Sequence, residues 1–335
     1  MIWLTWRQFR AQFLAAAAVL AAATGYLVIV GLQLHSGFDN LPADCDGLCP
    51  GAGRLIGRYR NPYYIGSALV LLAPALIGAF WGAPMIAREL ETGTHRLIWN
   101  QGVRRGRWLA AKLLVTAAAA MLVTGLLSLL VSWFADPLDR LNQDRFQPLM
   151  FDVRGLVPLG YAAFAVALGA CAGLFLRRTT AAMAVTLAVF TAVQVLMPLA
   201  VRPHLRPAVH SEVALNATTL GTARMFGFSG DTLGPDSPMI ASLDIPDGWV
   251  LTGNEPQAVR HADGRAVTFG TQPCRAEAGG PATRECLAQA DLHIAVDYQP
   301  ADRYWPFQWI ETAIYLALTA ALAALTTWGL RRRLG

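Results

Sequence analysis

The densest group of residues able to do chemistry stands between two long apolar runs, in MIARELETGTHRLIWNQGVRRGRWLAAKLL, residues 85–114. Arg88, Glu89 and Glu91 lead it, Gly93 and Thr94 break it, and Arg96, Arg104, Arg105, Arg107 and Lys112 follow. Ile86, Leu90, Leu97 and Ile98 share one side of a helical reading. ETGT then supplies a break and a fresh helix start, with Thr92 or Thr94 as cap and Gly93 permitting a tight approach. Anchoring of positive charge on the inner side of a membrane accounts for the arginines. It accounts for neither the two glutamates nor the Gly-Thr break, so the segment reads as a short charged helix and turn directed away from lipid.

The remaining candidates for chemistry lie apart from that connection. Cys45, Cys49, Cys274 and Cys286 form an even set in segments assigned below to the outside, which predicts disulfides with three pairings to choose from. The local pairs Cys45–Cys49 and Cys274–Cys286 are the simplest. A metal site at CDGLC with His35 is the alternative, but no second ligand pair stands at zinc-like spacing, and no metal is expected. Cys171 lies inside an apolar run as a small packing residue. His204, His210, His261 and His293 are scattered, and nothing pairs them with a nucleophile. There is no GxxxxGKS/T loop, no GxGxxG after a strand, no HExxH and no GxSxG. No catalytic residue is assigned, and P-loop hydrolysis of a nucleotide is excluded for this chain by itself.

An apolar scaffold must position these residues. The 335 residues are 55% hydrophobic and 15% charged, with a mean hydropathy of +0.40, which makes lipid the expected solvent. The net charge of +5 is almost wholly arginine, Lys112 being the lone lysine. Those arginines sit at the ends of apolar runs, which reads as membrane topology and not as a nucleic-acid face. Runs at 11–33, 64–87, 108–134, 156–176, 181–201 and 309–330 reach the roughly 20 residues that a crossing needs. The first is too long for a cleaved leader and is entered through MIWLTWRQFRAQF, so it reads as a retained span. With both termini inside, the cytosolic segments hold thirteen basic residues and the two short outer loops six, favouring the N-in, C-in arrangement.

Only RRTT separates the fourth and fifth runs, whereas residues 202–308 separate the fifth and sixth. Within that long segment GWVLTG, RAVTFG and HIAVDYQ alternate with the period of small strands. The fold class is therefore an all-α polytopic membrane protein of six transmembrane helices with a mixed α/β extracytoplasmic domain. Residues 1–201 hold an interfacial helix, five spans and the charged connection 85–107; 202–308 form the domain; 309–335 form the sixth span and a basic tail. Ionisable groups are scarce inside the spans, which counts against transport driven by an ion gradient. Glu311, two residues into the last run, reads as an interfacial side chain reaching water or Arg303.

The charged connection resembles the first cytosolic loop of type-2 ATP-binding-cassette (ABC) export permeases. That pattern runs Arg-Glu-x-Glu-x-Gly-Thr, then a basic turn, then a Lys-Leu-Leu approach to the next span. Arg88, Glu89, Glu91, Gly93, Thr94, Arg105 and Lys112 take those positions. YQPADRYWPFQWIET, before the sixth run, resembles an actinobacterial exporter branch of such permeases. The long segment before that run departs from the pattern, where many members have only short re-entrant helices. The resemblance implies a permease subunit in a bacterial plasma membrane, not itself an enzyme. Two copies, identical or paralogous, would form a dimer around a pathway, and a separate cytosolic ATPase subunit would bind ATP and Mg. It further implies that Arg88, Glu89, Glu91, Gly93, Thr94, Arg96 and Leu97 form a lever seated in that ATPase. Trp6, Arg7, Phe9 and Arg10 would lie on the inner leaflet as an interfacial helix. Apolar walls suit export of an amphipathic, lipid-like, antibiotic or peptide cargo. The alternative is a membrane-anchored sensor or assembly factor whose outer domain binds a ligand or protein.

Overall fold

The computed structural model describes residues 2–42, 45, 49, 51–93, 105–142, 146–216, 219–220, 223–229, 234–243, 245, 248–251, 255–274 and 281–333. Among these, the side chains of 2–17, 20, 105, 142, 224, 281–284 and 333 are outside the description. Helix α1 spans Ile2–Asp39 without a break, so the expected interfacial segment and first span form one helix. Helix α2, Ala52–Ile77, passes through a π-helical turn at Gly78–Gly82 into α3, Ala83–Glu91. Then come α4, Arg105–Asn142, the short α5, Pro148–Asp152, and α6, Val157–Leu176. Helix α7, Thr179–Leu196, continues through a π-helical turn, Met197–Val201, into a 3-10 turn at Arg202–His204.

Among the described residues, six helical stretches are long and apolar enough to cross a membrane: Ala21–Asp39, Ala52–Glu91, Gly106–Leu141, Val157–Leu176, Thr179–His204 and Ala301–Arg332. The second and third have 40 and 36 residues. At about 1.5 Å per residue each is far longer than the roughly 30 Å of a bilayer core. The head of the charged connection is therefore the projecting end of a helix. That helix stops where the sequence supplies a stop. The Thr92 backbone N–H and hydroxyl both donate to Arg88 O, and Gly93 takes φ +73°, a left-handed conformation that glycine adopts without strain.

The chain divides into two compact units. The first comprises Met1–Gln143, Pro148–Arg202 and Trp305–Gly335. Its hub is α6, which buries residues on every side, including Tyr161, Phe164, Val166, Ala170 and Leu174. A helix apolar all round belongs in the middle of a bundle. Its grip on the second span is glycine against glycine. Gly78 and Gly82 lie four apart on one side, Gly169 and Gly173 four apart on the other. A Cβ on Gly169 would stand 2.3 Å from Gly78 O, and one on Gly173 would stand 2.6 Å from Ala83 O. Paired small residues of this spacing let two backbones touch, which is how helices gain contact energy in lipid. By contrast α7 buries only Ala182, Thr186 and Phe190, one narrow stripe.

The second unit comprises Asp144–Gln147 and Pro203–Tyr304. It is built on an antiparallel sheet of β1 (Val209–Ala214), β2 (Ala223–Phe228), β3 (Met239–Leu243), β4 (Trp249–Val250), β5 (Gln257–His261) and β6 (Leu292–Gln299). The order is β1-β6-β5-β3-β2, with β4 also on β6. Strand β6, the expected HIAVDYQ, buries Leu292, Ile294 and Val296 on one face. Among its described residues GWVLTG yields the two of β4, and RAVTFG gives isolated bridges at Ala266 and Thr268. Helix α8, Pro281–Gln289, brings Cys286 to Cys274, and that disulfide joins the core of Met239, Ala241, Val259, Leu287 and Ile294. Cys45–Cys49 is the other disulfide, and Cys171 is a buried free thiol. Phe146 packs within this unit against Trp249 and Tyr304. The last helix, α9, is Tyr304–Arg333.

Candidate functional site

Two polar clusters stand at opposite ends of the helical unit. The first gathers the end of α3, the start of α4 and the turn between α6 and α7. Glu89, 8% exposed, pairs with Lys112, 7% exposed, whose ammonium also donates to Met85 O at 3.4 Å and lies 4.8 Å from the Trp108 ring centroid. Met85 and Trp108, which touch Lys112, belong to a buried apolar cluster with Ile86, Leu109, Ala170, Leu174 and Leu330. Of the two glutamates in the head expected to point away from lipid, Glu89 is buried and Glu91 exposed. Its carboxylate accepts hydrogen bonds from the Thr179 backbone N–H (3.2 Å) and hydroxyl (2.6 Å), at the first turn of α7. Arg178, the residue before that helix, makes no side-chain cap of its own. An acceptor carried by another helix therefore serves the free N–H groups of α7, where negative charge is favoured.

Arg88 is exposed, and Gly93 half-buried. Thr94, Arg96 and Leu97 lie outside the described residues, as does the side chain of Arg105. Trp6, Arg7, Phe9 and Arg10 are on α1, with side chains also outside the description.

At the opposite end, the start of α9 meets α5, α6 and the extension of α7. Glu311, expected to reach water or Arg303, instead is fully buried. Arg202 Nε donates to its Oε2 at 2.8 Å, and Arg202 Nη2 to its Oε1 at 2.9 Å. The same Nη2 pairs with Asp152, Nη1 reaches Pro148 O at 3.5 Å, and the guanidinium lies 4.3 Å from the Phe151 ring centroid. Arg303 is occupied elsewhere, donating to Pro207 O and Gln299 Oε1. The expectation failed because the nearest cation in sequence is not the nearest in space. Tyr161 from α6 places its hydroxyl 3.0 Å from Asp152 Oδ1 and 2.9 Å from Glu311 Oε1. Burial pushes the Asp152 carboxyl up to about 6, with Arg202 pulling it down and Glu311 adding to the rise. Gln308 Oε1 closes this end by accepting from the backbone N–H of Leu156 and Val157.

Beside it Arg154 pairs with Asp139 and donates to the Tyr63 hydroxyl, tying α2 to α4. Sequence reading passed over Arg202, Asp152 and Arg154. A signal existed, since Arg202 and Glu311 both sit at the margin of apolar runs, where an unpartnered charge is costly.

In the second unit His210 pairs with Asp297, and His293 lies 3.7 Å from Asp291. His261, Asp263, Arg265, Thr271 and Asp291 line an open groove of about 480 Å³. Among the described residues no three His, Cys, Asp or Glu side chains are grouped to hold a metal ion.

No curated protein and no solved structure matches this chain. Residues 17–202, from the first span to Arg202 itself, match the family described as ABC-2 membrane transporter related. With that match over more than half of the 335 residues and six helices fit to cross a membrane, the chain belongs to the ABC-2 membrane transporter related family, as a multi-pass subunit of permease type.

Proposed function

We propose that the chain is the transmembrane subunit of an ATP-driven exporter in a bacterial plasma membrane, with N-in, C-in topology. Two copies or a paralogous pair enclose the pathway, and the second unit is extracytoplasmic. A separate ATPase subunit holds ATP and Mg and docks at residues 85–107. The cargo is amphipathic: a lipid-like compound, an antibiotic or a peptide.

One observation carries the coupling part of this reading. The end of α3 is fixed to two other helices, through Glu89–Lys112 to α4 and through Glu91–Thr179 to α7. A push on the connection therefore reaches three spans at once, as a two-state element biased by ATP requires. Docking itself falls to exposed charges, because Glu89 is occupied inside the bundle. Arg88 and Arg107 are exposed and flank the connection.

The test is charge reversal of both, Arg88→Glu with Arg107→Glu, in native membranes. The expected result is normal abundance and insertion with loss of ATPase co-purification and of transport. Truncating well-paired interface charges costs roughly 2–5 kcal/mol, enough to lower affinity by more than tenfold. Unchanged ATPase capture and transport would reduce the connection to a topological anchor.

A further inference from the structure

The cluster at the start of α9 holds two carboxylates and one guanidinium, with Asp152 6% exposed and Arg202 and Glu311 at 0%. The groups facing it can be counted element by element. Helix α5 contributes Asp152 and the Phe151 ring, α6 contributes Tyr161, the extension of α7 contributes Arg202, and α9 contributes Glu311 and Tyr315. The neighbouring Arg154 is matched by Asp139 and does not supply the missing positive charge. Fully ionised, the described groups of this cluster therefore carry one surplus negative charge where water cannot reach it.

A hydrogen count gives the same answer independently. The Tyr161 hydroxyl is within hydrogen-bond distance of a carboxylate oxygen on each side, at 3.0 Å and 2.9 Å, yet a phenol has one hydrogen to donate. One of the two contacts is oxygen against oxygen with nothing between them unless a further hydrogen is present. Tyr315, edge-on to the Tyr161 ring at 4.6 Å between centroids, has a buried hydroxyl with no hydrogen-bond partner among the described residues. The cluster thus has spare polar capacity as well as spare charge.

We propose that this cluster is a binding site for one proton, held between Asp152 and Glu311 through the Tyr161 hydroxyl. With the proton on Asp152 Oδ1, that oxygen donates to Tyr161 Oη, and Tyr161 donates to Glu311 Oε1. Arg202 keeps its contacts to both acids, and the net charge becomes zero. The reversed arrangement, with Glu311 protonated and Tyr161 donating to Asp152, shifts two hydrogens along their bonds and conserves the charge. The raised Asp152 carboxyl is in keeping with either form. Proton-bound, the cluster fastens α9 to α5, α6 and α7; proton loss leaves repelling carboxylates at that junction and favours its opening. This goes beyond the export reading and requires no ATPase, so the two stand or fall separately.

The experiment uses the full chain purified in detergent micelles, followed by infrared difference spectroscopy in H2O and D2O and by thermal unfolding between about pH 5 and about pH 8. Wild type should show a protonated-carboxyl band that shifts in D2O and fades as pH rises. Because the folded state holds a proton that the unfolded chain releases above about pH 4, stability should fall as pH rises through about 6. Wild type should then melt some 2–4 °C higher at the acid end. Asp152→Asn and Glu311→Gln each restore one acid to one base, so either should abolish the band and flatten the pH dependence. Tyr161→Phe preserves every charge and should move the band without removing it. Absence of any such band from wild type over that range overturns the proposal. So does a band unaltered in whichever of the three variants fold.

Discussion

The two ends of the helical unit solve the same problem with different arithmetic. At the α3–α4 end one carboxylate meets one ammonium, Glu89 on Lys112, joining helices that adjoin in sequence. At the α9 end two carboxylates meet one guanidinium, and Asp152, Arg202 and Glu311 come from segments 50 and 109 residues apart. The first is a local staple around a connection. The second closes the whole arrangement, since it cannot form until the fifth and sixth spans have packed on α6. A lysine, a point charge on a flexible stem, suits the staple; the planar fork of an arginine suits the junction because it satisfies two acids at once.

The sharpest way to break this comparison is to remove each cation in turn. Arg202→Met strands two buried carboxylates and takes the cation from the Phe151 ring. Removing one partner of a buried ion pair costs about 3–5 kcal/mol, and this case belongs at or above the top of that range. Lys112→Met removes the cation that Glu89 pairs with, nearer the helix ends, and should cost about 3 kcal/mol. Denaturant unfolding in micelles should rank them in that order. Equal losses would erase the distinction between staple and junction.

A smaller effect sharpens the staple itself. Glu89→Leu should cost about 3 kcal/mol as well, while Glu89→Leu combined with Lys112→Met should recover most of the loss, because an apolar pair leaves no buried charge behind. Strict additivity of the two losses in the same unfolding measurement would mean that the side chains contribute separately and that no pair is broken.

Much of this was open to a reader of the sequence. Six apolar runs became six helices because length and composition alone decide what can cross lipid. Two local cysteine pairs became the disulfides. The helix stop at Glu91 was legible from Thr92 and Gly93. What could not be read was who meets whom. Gly78, Gly82, Gly169 and Gly173 carry meaning only once the second and fourth spans touch, and no periodicity announces that contact. Glu311 was conspicuous but was given the wrong partner, since its cation comes from another span. In the second unit β6 alternates cleanly, whereas β3 buries Met239, Ala241, Ser242 and Leu243 together and β5 buries only Val259. A strand buried at consecutive positions, as β3 is, or buried at one position, as β5 is, lacks the period-two signature that identified β6.

The smallest expected effect tests whether the connection is fastened to α7 at all. Glu91 is exposed, so its bonds to Thr179 compete with water and should contribute too little to shift a melting curve. They should still govern how the first turn of α7 opens, because the Thr179 N–H is among those with no acceptor inside its own helix. Amide hydrogen exchange by mass spectrometry, read over residues 177–183, isolates that local opening from global unfolding. Glu91→Ala should speed exchange there and leave α6 unchanged, while Glu91→Gln, which retains an acceptor oxygen at the same reach, should preserve most of the protection. The contrast between these variants matters more than either rate. If both exchange as wild type does, the first turn of α7 holds itself, and among the described residues the Glu89–Lys112 staple carries force from the connection to the bundle. If both exchange faster to the same degree, the charge of Glu91 acting on the helix terminus matters more than its hydrogen bonds. Only the graded result makes Glu91 a directional link between the connection and the fifth span.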